Sequence, residues 1–63
     1  MNSIGVGDRV LVRCWIAPWK NHVRIVKEID GLQARLAVEV DGKETENIEW
    51  EYLEDLKRVE DVR

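Results

Sequence analysis

Ile4-Gly5-Val6-Gly7-Asp8-Arg9-Val10-Leu11-Val12-Arg13 is the stretch on which the fold turns. From Arg9 onward Val10, Val12 and Cys14 fall on one side of an extended chain, and Arg9, Leu11 and Arg13 on the other. That period of two belongs to a half-buried β-strand. Gly5 and Gly7 permit a tight turn into it, because a residue without Cβ takes backbone conformations closed to others. Downstream, Trp15 to Asn21 reads as a loop, with Pro18 fixing φ and removing a backbone donor. His22 to Ile29 reads as a second strand with Val23, Ile25 and Ile29 inward, ending at the turn dipeptide Asp30-Gly31. The cleanest alternation follows: Ala34, Leu36, Val38 and Val40 against Gln33, Arg35, Ala37 and Glu39, the pattern of a central strand. Asp41-Gly42 marks another hairpin. In the fourth strand Ile48, Trp50 and Tyr52 alternate with Glu49 and Glu51, which places Trp50 in the core and the carboxylates on a solvated face. Leu53-Glu54-Asp55-Leu56 reads as one helical turn before a last strand through Lys57, Arg58 and Val59. The alternative for this region is an amphipathic helix over residues 48–62, since Leu53, Leu56 and Val59 fall near helical spacing.

A chain of 63 residues has room for one domain, with a core expected over residues 5–59 and frayed ends at Met1 to Ile4 and Glu60 to Arg63. The lone Cys14 cannot close an internal disulfide, which fits a reducing cytoplasm. No apolar run approaches the roughly 18 residues of a membrane helix, and no signal-peptide pattern opens the chain. The expectation is a cytoplasmic protein with no membrane partner. Its net charge of −3 divides unevenly. Residues 1–27 carry Arg9, Arg13, Lys20, Arg24 and Lys27 against Asp8, a balance of +4; residues 28–63 carry twelve acids against five bases, a balance of −7. Either the N-terminal cations gather into one patch, or the two halves pair across neighbouring strands.

These runs together resemble the SH3-like barrel superfamily: Gly7-Asp8-Arg9-Val10 at the start, two strands joined by Asp-Gly, and Leu53-Glu54-Asp55-Leu56 before a short last strand. The resemblance implies an all-β, small five-stranded SH3-like barrel with a short helical turn before the last strand, and it implies binding without naming a ligand. KOW-type modules are similar at Gly7-Asp8-Arg9-Val10 and across His22 to Asp30, although they place a glycine where Asn21 or His22 stands. Tudor-like modules enclose methylated cations in aromatic cages, for which Trp15, Trp19, Trp50 and Tyr52 would be the walls. The plasmid-borne type II dihydrofolate reductase is similar at Gly7-Asp8-Arg9-Val10 and Ala17-Pro18-Trp19. Where its pore offers an uncharged stretch this chain has Ile48-Glu49-Trp50-Glu51, whose carboxylates repel an anionic folate.

Chemistry-bearing residues are sparse: one His, one Cys, one Ser, no phosphate-cradling glycine loop and no metal-ligand spacing. Cys14 reads as a small inward hydrophobe and His22 as a surface or structural residue. The informative feature is three tryptophans with no phenylalanine. Trp15 and Trp19 flank Ile16-Ala17-Pro18 in the loop, where large rings either pack or make contact. The leading expectation is a protein-interaction module in which Trp15, Ile16, Trp19 and Tyr52, rimmed by Arg13, Lys20 and Arg24, dock a partner protein or a second copy in a homo-oligomer. The alternative is a nucleic-acid-binding barrel using Arg9, Arg13, Lys20, Arg24 and Lys27 with stacking on Trp15 or Trp19. A third is a small subunit of an enzyme complex. No cofactor, metal or catalytic residue is expected.

Overall fold

Alternation converts directly into strands wherever a turn residue ends each run. A computed structural model describes residues 4–13 and 22–61, which form β1 (Arg9–Val12), β2 (Arg24–Asp30), β3 (Gln33–Val40), β4 (Lys43–Tyr52) and β5 (Leu56–Arg58). All pairings are antiparallel, and the sheet order is β4-β3-β2-β1-β5. A 3-10 turn, Leu53–Asp55, separates β4 from β5 as expected, and the helix alternative for residues 48–62 is excluded. A second 3-10 turn, Val59–Asp61, ends the described chain, and Ile4 packs against the core; the rest of the two segments expected to fray, residues 1–3 and 62–63, lies outside the described residues.

The two hairpins use different turns. Val40 pairs with Lys43 around Asp41 and Gly42, both at positive φ (53° and 78°), the signature of a type I′ turn. Asp30 pairs with Gln33, so the other turn is Gly31-Leu32, one residue later than the dipeptide suggested, with only Gly31 at positive φ (62°). Ahead of β1, Gly5 N–H donates to an Asp8 carboxylate oxygen at 2.8 Å and Asp8 N–H returns to the Gly5 carbonyl at 3.1 Å. Gly7 N–H then donates to the Val26 carbonyl at 2.8 Å, tying this turn to β2.

The core lies on one face of the sheet: Val10, Val26, Ala34, Leu36 and Leu56, with Ile4, Val12 and Leu53 packed against them. Burying a valine or leucine fully contributes about 1.5–3 kcal/mol, so this small cluster carries most of the stability of a short chain. Val26 occupies the core position in β2, not Val23 and Ile25. A bulge explains the inversion, for the register with β3 shifts between Val26 and Glu28, so the alternation is in one phase before Lys27 and in the other after it. Ile29 stands opposite buried Ala34 as expected, yet remains 36% exposed.

β4 also runs in the opposite phase to the one its composition suggests. Glu49 stands opposite Leu36 and Glu51 opposite Ala34, on the core face, whereas Ile48, Trp50 and Tyr52 stand opposite Ala37, Arg35 and Gln33 on the outer face. Trp50 is therefore not a core residue. The inward carboxylates are tolerated because β4 is the last of the described strands in the sheet, where an inner-face side chain reaches solvent or a partner at the margin.

Candidate functional site

Of the residues singled out from the sequence, Cys14, Trp15, Ile16, Trp19 and Lys20 lie outside the described residues. Arg13, Arg24 and Tyr52 are placed, and they do not form one cluster. Arg13 is exposed just past β1, its backbone N–H donating to the Asp55 carbonyl at 2.7 Å. Arg24 opens β2 on the core face with its side chain only 13% exposed; it holds Glu49 in an ion pair and donates to the His22 carbonyl at 2.6 Å. Tyr52 closes β4 on the opposite, outer face.

The basic and acidic portions of the chain pair across strands, the second of the two outcomes its charge division allowed. Arg9 meets Glu39 at 2.9 Å, Lys27 meets Glu44 at 3.2 Å, and Arg24 meets Glu49. Three of the five N-terminal cations are thereby committed to carboxylates. A further pair, Arg35 with Glu28 at 3.1 Å, lies on the outer face beside Trp50. Among the described residues no group of His, Cys, Asp and Glu could hold a metal ion, and no helix is long and apolar enough to cross a membrane.

What the structure assembles is a row of side chains of which the sequence reading places Trp50 in the core and Tyr52 in a docking patch. Ile48 is 45% exposed, Trp50 47% and Tyr52 51%, all on the outer face of the edge strand. The period of two that defines a strand sets them in line, and the pairing of Leu36 with Glu49 turns that line outward. Beneath Ile48 the row rests on Ala37, which is fully buried between Ile48 and Ile25. At the other end a hollow of about 160 Å³ lined by Leu32, Tyr52, Leu53 and Glu54 continues the apolar surface, with Leu32 itself 78% exposed. Leu53 N–H donates to the Leu32 carbonyl at 2.8 Å and holds the two walls of that hollow together.

Carboxylates accompany this row along β4, with Glu49 and Glu51 on the opposite face of the strand. β4 carries Glu44, Glu46, Glu49 and Glu51 against one Lys43, and Glu54 follows on the hollow's rim. Glu44 and Glu49 are paired as described, while Glu46, Glu51 and Glu54 form no ion pair among the described residues. Composition alone could have flagged the tryptophan and tyrosine, but their outward direction depends on register. The described residues thus define a small antiparallel β-protein presenting an aromatic row on an acidic edge strand. Comparison with protein-family models, curated proteins and solved structures finds no match for this chain.

Proposed function

We propose that the chain is a small protein-interaction module of the SH3-like barrel type, and that its docking surface is the outer face of β4. The observation that carries this reading is the exposed row of Ile48, Trp50 and Tyr52 on one face of a single strand, continuous with Leu32. Aromatic side chains offer large contact area at low conformational cost and dominate interface energies. A row of them held by a paired strand needs little ordering on binding. The strand order β4-β3-β2-β1-β5 and the 3-10 turn before β5 support the barrel type. Glu46, Glu51 and Glu54, along the same strand and at its end and without an ion pair among the described residues, favour a partner protein bearing positive charge.

The test is comparative capture. The immobilised full chain and its Trp50→Ser/Tyr52→Ser variant are exposed to nuclease-treated extract of the source cells, after circular dichroism shows both folded. The wild type is expected to retain a protein that the variant loses. Equal capture by both, or none by the wild type, removes β4 as the docking surface.

A further inference from the structure

We infer that the partner enters as an extended strand of alternating basic and apolar residues, added to the free edge of β4 as a sixth strand of the sheet; this rests on β4 being the docking surface. Among the described residues β4 has β3 on one side and no strand on the other. Its segment Ile48–Tyr52 is regularly paired with β3, whereas the irregularity lies toward the hairpin, where Thr45 Oγ1 donates to the Val38 carbonyl at 2.7 Å. Ile48–Tyr52 thus presents an open row of backbone donors and acceptors, the template that strand addition uses.

The side chains along that edge specify what can pair with it. A residue of an added strand lies beside a β4 residue on the same face, so its outer positions meet Ile48, Trp50 and Tyr52 and its inner positions meet Glu49 and Glu51. The first favours apolar side chains. The second favours lysine or arginine: Glu51 has no ion-pair partner among the described residues, and the Glu49 side chain stays 39% exposed despite its bond to Arg24. An arginine or lysine stem lying near Trp50 gains further from the ring face. The same chemistry disfavours a second copy of β4, because pairing two identical inner faces sets Glu49 and Glu51 against glutamates. β5 of another copy is a poor substitute, being only Leu56–Arg58.

The experiment titrates the full chain with two eight-residue synthetic peptides, one alternating lysine and valine and one alternating glutamate and valine. Binding is followed by the Trp50 indole N–H resonance, assigned with Trp50→Phe, and strand addition by amide exchange in β4. The lysine peptide is expected to bind roughly tenfold tighter than the glutamate peptide and to slow exchange at alternate amides within Ile48–Tyr52. Equal affinity of the two peptides, or no binding of the lysine peptide, overturns the charge pattern. Movement of the Trp50 resonance with unchanged exchange overturns strand addition while leaving the docking surface intact. Sedimentation of the chain alone closes the remaining route: a dimer that already protects these amides makes a second copy the occupant and overturns the inference. Only equal capture by the wild type and the Trp50→Ser/Tyr52→Ser variant, or none by the wild type, removes the docking surface itself.

Discussion

Trp50 and Leu36 stand one position out of register on neighbouring strands, Trp50 opposite Arg35 and Leu36 opposite Glu49, and so carry opposite roles. Leu36 is fully buried, so truncation leaves a cavity in a five-residue cluster. Leu36→Ala is expected to cost about 3 kcal/mol, most of what a domain this small possesses. Trp50 removes less area from water on its exposed face, so Trp50→Ala is expected to cost less than about 1 kcal/mol. Urea unfolding of the two variants checks the ranking; a larger loss at Trp50 would return it to the core. Arg24 shows why a residue's type did not announce its place. A cation in a strand reads as solvent-facing, yet this one lies on the core face because Glu49 approaches it from two strands away. Nothing local to residue 24 encodes that partner.

At the scale of elements, the hairpins depend on backbone geometry more than on contacts. No atom lies within 4 Å of a Cβ built on Gly42, so the cost of Gly42→Ala comes from its φ of 78° alone. About 1 kcal/mol is expected, and Gly42→Asn should cost less because asparagine tolerates that region. Gly5, whose Cβ would meet only the Asp8 carboxylate at 4.0 Å, is the control: Gly5→Ala should stay within about 0.5 kcal/mol. Thermal melts of the three variants measure the order, and equal costs at Gly5 and Gly42 would discount the turn. Strand existence was legible from alternation in β1, β3 and β4, and the turn after β3 from Asp41-Gly42. Strand phase was legible in β1 and β3, where Val10, Ala34, Leu36 and Val38 are buried, but not in β2 and β4, because the Lys27 bulge resets the alternation within β2 and the edge position of β4 among the described strands lets carboxylates face inward.

Across the whole molecule, charge is spent internally. Arg9, Arg24 and Lys27 are held by Glu39, Glu49 and Glu44, and the chain's net charge is −3, which together oppose displacing counterions from a polyanion. The chain is therefore expected to pass unretained through a heparin column at about 0.1 M salt; retention there would favour the nucleic-acid reading. The sequence by itself determined that this is an all-β chain, where its strands and one hairpin turn fall, and that opposite charges are divided between its two portions. Those properties follow from local periodicity and turn chemistry, which a linear string contains. Only the tertiary structure decided which side of β2 and of β4 is interior, that cations and carboxylates meet across the sheet, and that Ile48, Trp50 and Tyr52 face outward. Those outcomes depend on pairing register and on which strand is last in the sheet. Both are set by contacts between residues far apart in the chain, and a one-residue shift in either reverses every side chain on a strand.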